Sequence, residues 1–531
     1  MNLQRVQGCD TLSHVGTLRA FVARNMKEKV GINMSAIAGL WGETGPEKAV
    51  LPDILNKMEH RGRFCQEYYY HDEAALGLGR ADYHGVESMA QALVSKDGNI
   101  TLVCDGDMPQ LSDDEDQNLM EVYEKDGIDF VRHLEGPFAI LILDERGYEP
   151  VFLAARDALG GKPLYYAMDN GQFLFSSEMK SLREYHQSVR PFPPGHYYQS
   201  NNGFVRFARI EISRNKIPLE ESNQEKTCAT IRTMLTHSVA RSLEGEQSVG
   251  LMISGGLDSS LVAALVRDMD PAPRKSFCVG SPESSDLAAA RQVAEALGTE
   301  HHEYEYSLKE MLDVLPKVIY YLESFEPSLV RSSVPNYFAF KMASEHCDVV
   351  LSGEGADELF SGYAYLKEID DPDELDRELI RVINNLHHIG LQRGDRMSAA
   401  NGIEVRMPFL DKELMAYALS IPVEWKLRQT SKKLVEKWIL REAFHEKTQL
   451  PARILWRDKE EFSEGSGAKD YVKDYMEDSI SNKVFHQRAR EILDTTGIRI
   501  RSKEELYYYQ IFKAHYPEPE LACQVGRWAD C

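Results

Sequence analysis

Positive charge is what this chain has too little of, with 61 lysines and arginines against 84 aspartates and glutamates, a formal net charge of −23. A surface of that sign repels phosphate backbones, which excludes nucleic acid as a partner. No apolar run approaches the ~20 residues that a membrane-spanning helix requires, so no membrane contact is expected. Cysteine is sparse and scattered: Cys9, Cys65, Cys104, Cys228, Cys278, Cys347, Cys523 and Cys531 form no CxxC pair. That removes the usual zinc spacing and makes a reducing cytoplasm the expected setting. Internal repeats and low-complexity segments are also missing. What remains, 43% hydrophobic and 27% charged over 531 residues, is enough to bury the cores of two domains or more.

The most informative stretch is Ser254-Gly255-Gly256-Leu257-Asp258-Ser259-Ser260. It follows the apolar run Val249 to Ile253 and precedes the helix-like Leu261 to Val266, the setting of an anion-gripping loop. Gly255 and Gly256 let the backbone approach a phosphate closely, Ser254 and Ser259 add hydroxyls, and the helix adds its positive end. Asp258 would be repelled by polyphosphate unless a divalent cation lay between them, which implies Mg²⁺. The loop lacks the Gly-Lys-Ser/Thr ending of a Walker A motif. It resembles instead the pyrophosphate loop of enzymes that cut ATP between its α and β phosphates.

A second short apolar run, Val349-Val350-Leu351, opens into Ser352-Gly353-Glu354-Gly355-Ala356-Asp357-Glu358. Three acids in five residues repel one another unless a cation joins them. In a parallel α/β sheet both loops leave the carboxyl ends of strands, where such folds bind ligands. Asp258 and Asp357 are therefore expected to share one Mg²⁺.

These two stretches, with Arg396–Asp411, Ile454–Ser463, Ala154–Tyr166 and Phe175–Glu178, resemble the glutamine-dependent asparagine synthetases. The likeness runs from about Ser35 to Val525–Trp528. It implies an α/β and α+β two-domain fold: an N-terminal Ntn-hydrolase-like β-sandwich with helices, then a C-terminal α/β pyrophosphate-loop domain like the adenine nucleotide α-hydrolases. By the same resemblance ATP is a substrate, Lys459 and Arg331 lie near its phosphates, and Ile253, Val279, Ser352 and Gly353 border the nucleotide. Glu354 lies beside an acyl-adenylate and orients or deprotonates the amine. Asp286 and Glu323 align with further acids, and His301-His302 is read as structural.

The likeness fails at the amino-terminal site. Family members begin, once the initiator methionine is lost, with a cysteine whose thiol attacks glutamine and whose free amine acts as base. Here the matching string is Met34-Ser35-Ala36-Ile37, with residues 1–33 before it. An internal serine has no free amine. The family's His-Arg-Gly-Pro-Asp is His60-Arg61-Gly62-Arg63-Phe64, and its Asn-Gly-Glu is Asp105-Gly106-Asp107, which sets an anion where an oxyanion needs a donor. The glutaminase site is expected to be dead and its fold to survive, with Ala139–Leu143 and Val151–Ala155 as core strands. The β-lactam synthetases share this loss and rival the first reading.

The expected organisation is an extension at 1–33, an inactive glutaminase-like domain at 34–215 and an ATP-dependent synthetase domain at 216–531. The boundary falls in the polar stretch Ile212–Lys226, before the amphipathic Thr227–Leu243. For residues 1–33 a misassigned start, a weak transit-peptide likeness, a docking helix and a partner-binding arm stay open, and so does a homodimer. Aspartate is the first choice of acid, other small carboxylates being alternatives. The nitrogen donor is free ammonia, ammonia from a separate glutaminase, or a larger amine. A non-catalytic regulatory subunit would be expected to have lost Ser254, Asp258, Asp357 or Lys459, and this chain keeps all four.

Overall fold

Alternating strands of small and branched residues build the first half of the molecule. In this computed structural model, which describes residues 34–42, 49–62, 65–80, 82–83, 86–87, 92–106, 119–169, 171–186, 188–244 and 248–528, two six-stranded sheets lie in that half. Ser35–Trp41 pairs antiparallel with Ala74–Arg80 on one side and Gln172–Ser176 on the other. In the second sheet Phe138–Asp144 runs between Ile100–Gly106 and Val151–Arg156, so the two expected core strands are present. Inward side chains of both sheets, among them Ile37, Leu78, Leu141, Phe152 and Phe175, form one buried cluster, the packing of a β-sandwich. The readings made for residues 1–33, and for Arg63, Phe64 and Asp107, lie outside the described residues.

The second half is a parallel sheet. Its strands stand in the order Glu300–Glu305, Lys275–Gly280, Val249–Met252, Val349–Leu351, Glu404–Arg406, and every neighbouring pair is parallel. Strands covered on both faces read as unbroken apolar runs, which is why Val249–Met252 and Val349–Leu351 were legible. Chain direction across the sheet reverses between these two neighbours, the switch point at which open α/β sheets leave a ligand crevice. The helix Glu221–Ser242 begins inside the polar stretch read as a boundary. At Pro372–Asn384 the Asp371 carboxylate accepts from the amides of Asp373 and Glu374 at 2.8 and 3.1 Å, the helix start that its sequence indicates.

One buried group sets a pH dependence away from any site. Lys426 is fully buried and its Nζ has no hydrogen-bond partner. Burial, and then the Lys216 ammonium, push its pKa down to about 7. The folded protein therefore holds fewer protons than the unfolded chain between about 7 and the ordinary lysine value of 10.5. Stability is expected to be greatest at the top of that window and to fall as pH drops through it. Lys426→Met is expected to raise stability at pH 7 by about 1–3 kcal/mol and to flatten that slope, as denaturant unfolding at pH 7 and 9 would show.

Candidate active site

The loop after Val249–Met252 is held by its own hydroxyls. Ser259 Oγ accepts from the Ser254 amide at 3.2 Å, and Ser254 Oγ accepts from the Gly256 amide at 3.3 Å. The two glycines divide the work. Gly255 has φ +70°, and a Cβ there would lie 2.3 Å from Cβ of Ala289, so it makes the turn and packs on the helix Ser285–Leu297. Gly256 caps the helix Leu257–Met269 and borders a cavity of about 470 Å³. Ile253, Ser254, Asp258, Ser259, Val279, Asp286, Arg331, Ser352, Gly353, Glu354, Asp357 and Lys459 also line it. The site residues expected from sequence thus reach one cavity, except Gly255, which faces the neighbouring helix, and Glu323.

The two loops meet through their backbones. A Cβ on Gly353 would lie 2.5 Å from the Ser259 amide nitrogen, and only glycine allows that approach. Asp258 and Asp357 are joined by a side chain that the sequence reading missed: Lys437 Nζ lies 2.5 Å from a carboxylate oxygen of each. Lys437 is buried and has φ 53°, a left-handed conformation that costs a non-glycine residue energy and persists where its surroundings fix it. Lys459 Nζ adds a bond to Asp357 Oδ2 at 2.6 Å. Burial pushes the Asp357 carboxyl up, but the ammonium groups of Lys437 and Lys459 outweigh it and hold it well below the usual carboxylate range. Burial depresses the Lys459 ammonium, and the Asp357 and Asp258 carboxylates reverse that and raise it. Its loop is tied at the Lys459 amide, which donates to Glu436 Oε1 at 3.1 Å, while Arg441 holds the same carboxylate at 2.8 Å.

Among the described residues no group of three or more His, Cys, Asp or Glu side chains is placed to hold a metal. Mg²⁺ commonly takes one or two carboxylates and completes its shell with water and substrate phosphate. Two adjoining carboxylates fit that mode, and Asp258 Oδ1 is buried without a hydrogen-bond partner.

Also lining the cavity, Arg393 Nη2 donates to both oxygens of Glu354, at 2.5 and 2.6 Å. Arg331 donates to Glu504 at 2.7 Å. Asp286 pairs with Arg457 at 3.2 Å, and burial pushes its carboxyl up to about 7 against that guanidinium. Glu323 does not reach the cavity lining. It has φ 57°, accepts from the amides of Met179 and Lys180, and pairs with Arg396 at 2.9 Å, so it fastens the sandwich to the second half. His302 stacks on Phe277, and His301 Nδ1 lies 2.8 Å from Ser276 Oγ, both structural as expected.

Ser35 sits elsewhere, in the sandwich. Its side chain is fully buried and its Oγ has no hydrogen-bond partner. The Ser35 amide donates to Asp105 Oδ1 at 3.0 Å. Arg61 donates to the Ser35 carbonyl at 3.3 Å, to Asp105 at 3.0 Å and to Glu178 at 3.2 Å, and grips both oxygens of Asp395 at 2.7 and 2.8 Å. Although burial opposes charge here, the cations around them keep Glu178 and Asp395 below the ordinary carboxylate range. Breaking one partner of such a buried set costs roughly 3–5 kcal/mol.

A sequence model of the asparagine synthase family matches residues 230–371 and 367–528. The chain belongs to the asparagine synthetase family. As a member it is an ATP-dependent carbon–nitrogen ligase by class. A glutamine amidotransferase domain matches residues 34–194. The probable glutamine-hydrolysing asparagine synthetase of Dictyostelium discoideum is 35% identical over 516 residues, covering 90% of this chain and 92% of that one. Glutamine-hydrolysing asparagine synthetase 2 of Arabidopsis thaliana is 31% identical over 531 residues, covering 93% and 90%. The separate glutaminase left open as an ammonia source gains no support, since an amidotransferase domain lies within the chain. No helix among the described residues is long and apolar enough to cross a membrane.

Proposed function

We propose that this chain joins ammonia to a small carboxylic acid, aspartate first, through an acyl-adenylate, releasing AMP and pyrophosphate. The observation that carries the reading is that Asp258, Asp357, Lys437 and Lys459 converge in one cavity on the two strand-end loops. A substrate carboxylate oxygen attacks the α phosphorus, and the bond to pyrophosphate breaks. Charge accumulates on the departing pyrophosphate, where the Gly256 amide, the Ser254 and Ser259 hydroxyls and the Lys459 ammonium stabilise it more than the ground state. Bound Mg²⁺, held by Asp258 and Asp357, would supply further neutralisation of phosphate charge. Ammonia then attacks the acyl carbon, AMP leaves, and Glu354, fixed by Arg393, orients the nitrogen or takes its proton. In this reading residues 34–215 form a glutaminase-derived domain without glutaminase chemistry, and 216–531 form the synthetase domain.

Asp105 and Ser35 support the reading of ammonia, not glutamine, as the nitrogen source. Asp105 is an acceptor bound to the Ser35 amide and Arg61, whereas oxyanion stabilisation calls for a donor. The test is product analysis with ATP, Mg²⁺, ammonium and a panel of carboxylic acids. AMP and pyrophosphate in equal amounts, with aspartate the best acid, are expected. ADP and phosphate as products would refute the reaction class.

A further inference from the structure

Three aromatic rings, Tyr363, Tyr365 and Trp528, line part of the cavity. Trp528 packs edge-on against Tyr363 and Tyr365, with ring centroids 5.3 and 6.2 Å apart and interplanar angles of 68° and 88°. Of these rings, Tyr363 is near enough to Glu354 and Arg393 to interact with both electrostatically. The tyrosines are pinned: Tyr363 donates to Glu358 at 2.5 Å and Tyr365 to Glu378 at 2.6 Å.

The segment bearing Trp528 is tied down as well. Arg527 donates to the Arg499 carbonyl at 2.8 Å, pairs with the buried Glu505, and lies 5.8 Å from the Phe325 ring centroid. A Cβ on Gly526 would fall 2.4 Å from Cγ of His388, so glycine brings the backbone against that ring. Trp528 is only partly buried, which leaves it between cavity and solvent. An acyl-adenylate is lost whenever water reaches it. The water oxygen attacks the acyl carbon, the carbon–oxygen bond to AMP breaks, AMP departs as the leaving group, and a proton passes to solvent. Sites that hold reactive intermediates close against that loss.

We propose that Trp528 closes the acyl end of the cavity, and that with Tyr363 and Tyr365 it keeps water from the acyl-adenylate until the amine arrives. This rests on the adenylating function proposed above. Trp528 is a positioning and shielding residue: it carries no proton and leaves adenylation to Lys459 and the two aspartates.

The experiment measures pyrophosphate and amide together, with ATP, Mg²⁺, aspartate and limiting ammonium, in the full chain and in Trp528→Ala and Trp528→Phe. In the unsubstituted chain the two products are expected to be close to equal. Trp528→Ala is expected to raise pyrophosphate per amide by about threefold or more while the rate of pyrophosphate formation changes little. Trp528→Phe, which restores an aromatic face, is expected to bring the ratio most of the way back. A ratio unchanged in Trp528→Ala, or pyrophosphate and amide lost in equal proportion, would overturn the shield alone. Absence of pyrophosphate from the unsubstituted chain would remove the adenylating function and the shield with it.

Discussion

Asp357→Asn is expected to lower pyrophosphate formation by about 10²–10³-fold, and Asp258→Asn by a similar factor. Each change replaces an anionic oxygen by a neutral one at the place where phosphate charge must be balanced, and hard cations depend on that charge. The fold is expected to survive either single change, because Lys437 keeps one carboxylate partner in each. The double variant would leave the buried Lys437 ammonium opposite two neutral amides, at a cost of about 3–5 kcal/mol, and would confuse chemistry with stability. Rates should therefore be measured in the single variants, with thermal midpoints recorded beside them. Near-normal rates in both would count against a shared site for Mg²⁺.

The strand-end loops were legible in the sequence because their meaning is local. An apolar run, a turn of glycine and serine, and an apolar helix start occupy consecutive positions, and the acids that matter lie inside those strings. Lys437 was not legible for the opposite reason. It sits 179 residues from Asp258 in sequence, in a lysine-rich stretch where nothing marks one cation from the next. Its left-handed backbone leaves no trace in composition. Arg393 was missed on the same ground, since its bond to Glu354 spans a fold rather than a motif. The paired glycines were read as equivalent, whereas the packing of Ala289 on Gly255 leaves only Gly256 to face the cavity. Glu323 aligned with a family acid, yet its bonds to Met179, Lys180 and Arg396 belong to the junction between the halves.

Glutamine is expected to be no nitrogen source at all. Ser35 lies in a strand with its amide bound to Asp105, so the free amine that would serve as base is a peptide nitrogen. Translation from Met34 followed by loss of that methionine would expose Ser35, but the Asp105 carboxylate, 3.0 Å from its nitrogen, would stabilise the ammonium form and oppose its use as a base. Arg61 and Lys162 help balance Asp105, which explains how the anion is tolerated in a buried site without restoring an oxyanion donor. The sandwich keeps its place because Arg61 pairs with Asp395, Glu178 with Arg396, and the Met179 and Lys180 amides with Glu323 across the junction.

The most direct measurement is glutamate release from glutamine, compared with amide formation from ammonium, in the full chain, in a chain beginning at Met34, and in Ser35→Ala of each. No glutamate is expected from any of them, and ammonium-dependent synthesis is expected to be unchanged by Ser35→Ala. Glutaminase activity in the chain beginning at Met34 that disappears on Ser35→Ala would contradict that expectation, and would make the amino-terminal domain a working glutaminase with a serine nucleophile.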